Sequence, residues 1–353
     1  MKIKDLCSYA PKSRIKAGEA VENAKYLFFT SSADENKRYT DFQFDKEAII
    51  MGTGGNATLH YYNGKFSVST DCLVLFPNSK IKCKYLYYFF KSHMSVLEAG
   101  FKGAGLKHTN KKYIEEINVS KVPDLSIQEK IVSHLDTITE NIEKLNRELE
   151  LFDSLTKARF IEMFGDPVSN SKHLPLKTLP QLGTFGRGVS KYRPRNAPEL
   201  LNGPYPLIQT GDIANSELYI KNYNNTYSEV GLKQSKMWDK GTLCITIAAN
   251  IAKTAILQFD ACFPDSVVGF NGNNLIDNIF VHYWFSFFQE ILENQAPESA
   301  QKNINLKILS ELQIITPDII EQNQFADFVR QVDKSRFDIK KSIIELEREV
   351  VYD

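Results

Sequence analysis

Asn110-Lys111-Lys112-Tyr113-Ile114-Glu115-Glu116-Ile117, followed by Pro123-Asp124 and Gln128, returns about 195 residues later as Asn305-Leu306-Lys307-Ile308-Leu309-Ser310-Glu311-Leu312, followed by Pro317-Asp318 and Gln322. Each copy then runs straight into a long apolar heptad pattern, so the repeat unit is a globular segment followed by a helix, not a short solenoid motif. Two such units predict a pseudo-symmetric chain with two heads. That arrangement suits reading something at two places a fixed distance apart.

The heptads are specific enough to assign seams. After Pro123, the box Ser126-x-x-Glu129 predicts a helix start, and Ile131, Leu135, Ile138, Ile142, Leu145, Leu149 and Phe152 alternate in steps of four and three. After Pro317, Asp318-x-x-Glu321 plays the same part for Phe325, Val329, Val332, Ile339, Ile343, Leu346 and Val350, with Arg336 alone breaking the apolar run. Two exposed seams need a partner. Connectivity makes them each other's: the first helix ends at head two, where the second begins, so the second packs back antiparallel. A helix over about 127–164 would be roughly 57 Å long, about 1.7 turns of B-DNA at about 34 Å each, and would hold the heads apart on the scale of a turn or more. An ordinary dimerising coiled coil is the other arrangement these seams allow. The second helix stops at the counterpart of Arg159, so Phe160-Ile161-Glu162-Met163-Phe164-Gly165-Asp166-Pro167 has no second version, and some pairing near head one is expected to be lost.

At 353 residues the chain has room for two or three domains, and 42% apolar with 24% charged residues is ordinary for a soluble protein. Met1-Lys2-Ile3-Lys4-Asp5 lacks a signal-peptide pattern, and apolar runs such as Tyr85 to Phe90 are too short to span a bilayer. A cytoplasmic protein without a membrane partner is expected. Cys7, Cys72, Cys83, Cys244 and Cys262 form no CxxC pair, so reduced structural thiols are expected. Net charge is zero, but residues 1–122 carry 19 Lys+Arg against 12 Asp+Glu, and 166–316 carry 13 against 13. Both heptad segments are acidic: 123–165 has 5 against 9 and 317–353 has 6 against 9. A nucleic-acid partner belongs at the heads and not along the helices.

Each head reads as mixed α/β. Tyr205 to Ile213 predicts a strand running into a Gly-Asp turn, and Gly241 to Ile247 a buried strand. Lys25 to Thr30 and Ala48 to Gly52 are their counterparts in head one. Tyr85-Leu86-Tyr87-Tyr88-Phe89-Phe90 and Phe280-Val281-His282-Tyr283-Trp284-Phe285 read as matching aromatic helices serving the core. Between the shared strands, the loops diverge. Head two carries Arg187, Lys191, Tyr192, Arg193 and Arg195 on a Gly-rich loop. Head one offers Lys37, Arg38, and a Gly-Lys loop with Lys102, Lys107 and His108. Lys and Arg on flexible loops reach phosphates, and Arg reads guanine edges with its planar fork. Shared scaffold with divergent basic loops is what two modules reading different sequences would look like.

No catalytic constellation accompanies these loops. Gly52-Thr53-Gly54-Gly55-Asn56 lacks the Gly-Lys-[Ser/Thr] ending of a phosphate-binding loop. Gly183 to Gly188 is a weak glycine match, and no Asn-Pro-Pro-aromatic methyltransferase motif occurs. The six histidines show no ligand spacing, so no metal site is expected. Pro123-Asp124 with Gln128-Glu129-Lys130 sits at a helix start, where capping explains it. The chain is read as a non-enzyme.

Taken together, Tyr205-Pro206-Leu207-Ile208-Gln209-Thr210-Gly211-Asp212-Ile213, the Ser299-Ala300-Gln301-Lys302-Asn303-Ile304 turn, Leu309-x-x-Leu312-x-Ile314-x-x-Pro317 with Gln322, and Leu155-x-x-x-Arg159 through Pro167 resemble specificity subunits of Type I restriction–modification systems. The resemblance covers essentially the whole chain. Head one departs from it: Phe29-Thr30-Ser31-Ser32-Ala33-Asp34 stands in place of the Gln-Thr-Gly-Asp turn, and Gly105 to Asn110 in place of the Gln-Lys-Asn-Ile turn. The resemblance implies an α+β fold of two pseudo-symmetric target recognition domains, 1–125 and 166–318, joined by antiparallel coiled-coil helices at 126–165 and 319–353. It further implies recognition of a bipartite, non-palindromic site in double-stranded DNA, and docking of two modification subunits and of restriction subunits. S-adenosylmethionine, ATP and Mg belong to those partners and not to this chain. Gln209 and Lys302 join the basic loop residues as candidate DNA contacts. The same architecture would serve a methylation-only or Type IIB-like complex, and a coiled-coil scaffold with protein-binding heads is the alternative from another class.

Overall fold

The computed structural model describes residues 1–103, 105–248, 251–295 and 304–352. They form two units, one of 1–148 with the chain from 339 onward, the other of 149–338.

In the first unit α1 (Ile3–Leu6) runs directly into β1 (Cys7–Tyr9), and β2 (Tyr26–Phe29), β3 (Arg38–Tyr39), β4 (Phe44–Gly52), β5 (Leu59–Val68) and β6 (Cys72–Pro77) complete a sheet of order β1-β6-β4-β5-β2-β3. Only β2 lies parallel to its neighbour, with Phe28 opposite Ser67 on β5. The run Ala48-Ile49-Ile50-Met51 in β4 is apolar without alternation because both faces of the sheet are covered. Ile49 and Met51 pack with Leu86 and Phe90 of α2 (Cys83–Ser92), while Ala48 and Ile50 pack with Phe29, Phe66 and Val74 on the other side. After α3 (Met94–Glu98), α4 (Lys111–Glu116) starts on Asn110, whose side chain accepts from Tyr113 N at 3.0 Å. The long helix α5 (Leu125–Phe164) follows.

The second unit repeats this plan with one long hairpin broken in two. Its elements are β7 (Leu176–Thr178), α6 (Leu179–Leu182), β8 (Gly183–Arg187), β9 (Leu201–Leu207), α7 (Thr210–Ala214), β10 (Tyr219–Ile220), β11 (Asn225–Tyr227), α8 (Glu229–Lys233), β12 (Met237–Trp238), β13 (Leu243–Thr246), β14 (Thr254–Leu257), β15 (Ala261–Cys262), β16 (Val267–Gly272), α9 (Asn278–Gln295), α10 (Leu306–Glu311), β17 (Gln313–Ile315) and α11 (Ile319–Tyr352). They make sheets of order β10-β14-β13-β16-β8 and β11-β9-β15-β12, with β17 paired to β7. The hairpin register carries through the break: Met237 faces Cys262 and Trp238 faces Ala261, then Leu243 faces Ile256 and Cys244 faces Ala255. So β12 with β13 stands for β4, β14 with β15 stands for β5, and β9, parallel to β15, stands for β2. The break falls before Gly241, whose φ of 92° is open to glycine at little cost. Asn305 starts α10 as Asn110 starts α4, accepting from Ile308 N at 2.9 Å.

The two repeated glutamines are the deepest point of this correspondence. Gln128 is fully buried; its Oε1 accepts from Lys82 N at 2.8 Å, and its Nε2 donates to Lys80 O at 3.2 Å and Pro123 O at 2.8 Å. Gln322, also fully buried, accepts from Asp277 N at 3.0 Å and donates to Leu275 O at 3.0 Å and Pro317 O at 2.9 Å. One amide thus ties the loop before the aromatic helix to the first turn of the long helix, in each unit by the same three bonds.

Within each unit the two long helices run antiparallel. In the first, Leu135 and Ile138 bury with Val350 against Tyr88, flanked by Ile131, Ile142 and Leu346. In the second, Phe160 and Phe164 pack on Phe325 and Phe280 at ring separations of 5.0–5.7 Å. Val329 and Val332 are buried, Leu145, Leu149, Phe152 and Ile339 half-buried, and Ile343 buried. Arg336 is also buried, its charge met by Asp153 and by Glu217 at 4.0 Å, with Phe152 beneath the guanidinium at 5.8 Å.

Two sequence expectations need correction. Ser126 does not cap α5: the helix already starts at Leu125, and the Asp124 carbonyl accepts from Ile127 N and Gln128 N, each at 2.9 Å. The Gln128 clamp fixes the start earlier than the box suggests. Nor does Tyr205 to Ile213 end in a plain turn, since Thr210–Ala214 is helical and Asp212 Oδ2 accepts from Gln209 N at 2.8 Å. All five cysteines are free and buried.

Gln128→Ala and Gln322→Ala should each destabilise the protein by about 2–3 kcal/mol, because each leaves a buried N–H and two carbonyls without partners; urea unfolding of the two variants is the measurement. A second expectation concerns pH. His282 on α9 lies 2.9 Å from Thr254 Oγ1, and burial pulls its pKa down to about 4, against a smaller opposing hydrogen bond to the Thr254 backbone. Between the ordinary value of about 6.5 and that lower one, the unfolded chain binds a proton that the folded chain does not. Stability should therefore fall as pH drops through this window, and His282→Gln should flatten the dependence in unfolding curves recorded across it.

Candidate nucleic-acid interface

In head two the basic loop leaves β8 through Gly188. A side-chain carbon there would overlap the carbonyl oxygens of Phe263 and Pro264, so glycine lets the loop lie against that turn. Gly188 N donates to Val267 O at 2.8 Å and Val189 N to Phe263 O at 3.1 Å. Arg187 is exposed at the strand end, with no ion pair among the described residues. Lys191 N and Tyr192 N share Gln234 Oε1, at 2.7 and 3.0 Å, and the Tyr192 hydroxyl donates to Glu199 at 2.9 Å, which raises the pKa of the phenol.

The arginines of this loop are not equivalent. Arg193 folds back, donating from Nη1 to Ser190 O at 2.6 Å and Tyr192 O at 2.8 Å, so it holds the turn together. Arg195 has a single tie among the described residues, from Nη2 to Asp265 Oδ1 at 2.6 Å. It lines a cleft of about 240 Å³ with Ser190, Gln209, Thr210 and Ser266. The structure thus brings Arg195 and Gln209 to one place, although α7 and the basic loop are separate in sequence. Lys302 lies outside the described residues.

In head one, the segments 31–36, 53–55, 102–103 and 105–109 are tied together by hydrogen bonds. Lys102 and His108 exchange backbone hydrogen bonds at 3.0 Å, Gly55 N donates to Lys107 O at 2.9 Å, and Gly54 N to Ser31 Oγ at 3.4 Å. Lys102, Lys107 and His108 are exposed. Lys37 and Arg38 are half-buried and engaged: Lys37 Nζ donates to Thr30 Oγ1 at 3.1 Å, and Arg38 Nη1 to the carbonyls of Glu35 and Lys37 at 3.3 and 3.2 Å. Buried His60, whose Nδ1 sits 2.8 Å from Glu35, closes that loop. Sequence reasoning singled out neither His60 nor Asp265. Their partners lie 25 and 70 residues away along the chain, and no local pattern marks them.

Among the described residues, no group of His, Cys, Asp and Glu is placed to hold a metal ion, and no helix is long and apolar enough to cross a membrane. A family model described as the Type I restriction modification DNA specificity domain matches residues 1–151 and 178–348, one segment over each repeat. The chain belongs to this family. Similar proteins include the Type I restriction enzyme EcoDI specificity subunit of Escherichia coli, 23% identical over 90% of this chain and 78% of that one. Another is the putative type I specificity subunit S.MpnORF615P of Mycoplasma pneumoniae, 34% identical over 38% of this chain and 55% of that one. The crystal structure of the S subunit from M. genitalium superposes with a TM-score of 0.66 at 16% identity, covering 99% of this chain and 93% of that chain, and so shares the fold. The relatives matched are named as specificity subunits.

Arg195→Ala should weaken DNA binding while leaving thermal stability unchanged, whereas Arg193→Ala should cost about 1 kcal/mol of stability by freeing the two carbonyls it holds. Thermal unfolding and duplex binding on the same preparations separate the two roles.

Proposed function

We propose that this chain reads a bipartite, non-palindromic DNA site for a type I restriction–modification complex, one half-site per head, working in the cytoplasm without a cofactor of its own. The observation that carries this reading is a family match over both repeats combined with one strand scaffold used twice under different basic loops. Phosphate contacts from exposed lysines would supply salt-dependent affinity, and Arg195 with Gln209 would supply base discrimination in head two. Head one, with Lys102, Lys107 and His108 on its hairpin loop, would read a different sequence.

Docking of two modification subunits, and of restriction subunits with them, belongs to the same proposal. S-adenosylmethionine, ATP and Mg would reside in those partners. Leu151, Leu155 and Phe337 are 65, 48 and 59% exposed on the long helices of the second unit, and large apolar side chains left in water on a helix are what a helical partner covers. A solved structure with the same fold, at a TM-score of 0.56 and 14% identity, is described as the basis of complex assembly and conformational transition of the type I R-M system.

Exchanging residues 168–316 for the equivalent head of a relative with another specificity should change one half-site and leave the other intact. Methylation-sensitive sequencing of DNA from cells carrying the hybrid system reads the outcome directly. Simultaneous change of both half-sites would refute independent heads.

A further inference from the structure

Asp265 sits where a DNA-reading surface would least be expected to carry a carboxylate. It is held between two arginines of the basic loop, with Oδ1 2.6 Å from Arg195 Nη2 and Oδ2 3.7 Å from Arg193 Nη2. The pair is partly open to water: the Arg195 side chain is 46% exposed and Asp265 37%. An ion pair of this exposure is weak and readily exchanged. Arg193 stays in place regardless, because two backbone carbonyls hold it. Arg195 has no other partner among the described residues, so loss of the carboxylate releases its whole fork.

The destination of that fork is visible as well. The cleft lined by Arg195 is also lined by Ser190, whose buried Oγ has no hydrogen-bond partner among the described residues, and by the exposed Gln209 at the start of α7. Ser190 as a residue is only 6% exposed. A buried hydroxyl left unpaired in a polar cleft is a place for a ligand group to complete the bonding.

The geometry points to Asp265 as a built-in competitor for DNA: it masks Arg195 on non-cognate sequence, and yields it only when the cleft receives a base edge that Arg195, Gln209 and Ser190 can bond together. This rests on the proposed DNA-reading role of head two. By occupying Arg195 the carboxylate lowers affinity for every duplex, and the cognate half-site recovers the loss through bonds that random sequence cannot offer. Asp265 is therefore a specificity determinant that repels, and its removal should be read in non-cognate binding.

The test uses the assembled complex of this chain with its methyltransferase partner, a short random-sequence duplex, and a duplex carrying the mapped methylation site. Asp265→Asn should bind the random duplex about 3–10-fold more tightly, with a salt slope steeper by about 0.9, the signature of one further phosphate contact. Arg195→Ala placed on top of Asp265→Asn should abolish both gains. Discrimination against a duplex scrambled only in the half-site of head one should stay unchanged. Unaltered affinity and slope on the random duplex would overturn the proposal. So would weaker binding to the mapped site with unchanged random-duplex binding, which would make Asp265 an orienting group for Arg195. Failure of the parent reading is distinguishable: the wild-type complex would then bind mapped and random duplexes alike.

Discussion

A single side-chain amide, buried twice, organises this protein. Gln128 and Gln322 each accept one and donate two hydrogen bonds, pairing backbone groups of the loop before the aromatic helix with the proline carbonyl before the long helix. An unmade buried hydrogen bond costs more than a made one gains, so the clamp selects one geometry between head and helix and excludes its neighbours. The start of α5 one residue before the expected box, and the seat of α2 and α9 beside the helices, both follow from it.

On that common base the two heads are free to differ where water meets the strand ends. Head one keeps its central hairpin unbroken and folds its loops back upon themselves through His60, Glu35, Thr30 and Lys37. Head two bends the same hairpin at Gly241 and places α7 and β10 beside it, and the basic loop lies on the turn that follows β15. The core tolerates this because register, and with it the buried face of each strand, is preserved through the bend. Variation is thereby confined to the surface that reads DNA in the proposed function.

The helices show the same economy with charge. Arg336 occupies a seam position otherwise given to apolar residues, yet its guanidinium rests over Phe152 and reaches two carboxylates at the margin of the packing. A buried cation with partners adds little net stability, but losing its partners would leave an uncompensated buried charge. In the first unit the corresponding polar contact is made by the head: the Tyr88 hydroxyl donates to Asp136 at 2.6 Å, and Lys84 meets the same carboxylate at 2.7 Å.

Much of this architecture was legible in the sequence because repetition and periodicity are one-dimensional signals. The doubled Asn, Pro-Asp and Gln positions announced two units, the heptads gave the seam, and the apolar run at Ala48–Met51 marked a strand buried on both faces. The basic loops, too, stood out by composition. Which partners each charged residue meets was decided only by tertiary structure. Lys37 and Arg38 look as available in sequence as Lys107, and Arg193 looks like Arg195, but Lys37 donates to the Thr30 hydroxyl, and Arg38 and Arg193 each fold back onto carbonyls one and three residues before them, while Arg195 is tied, among the described residues, to Asp265 alone. The physical reason is that a charge's role depends on which acceptors come within hydrogen-bonding reach: some belong to distant segments, as Asp265 does for Arg195, and others to the charged residue's own turn, whose fold-back a local sequence pattern does not specify.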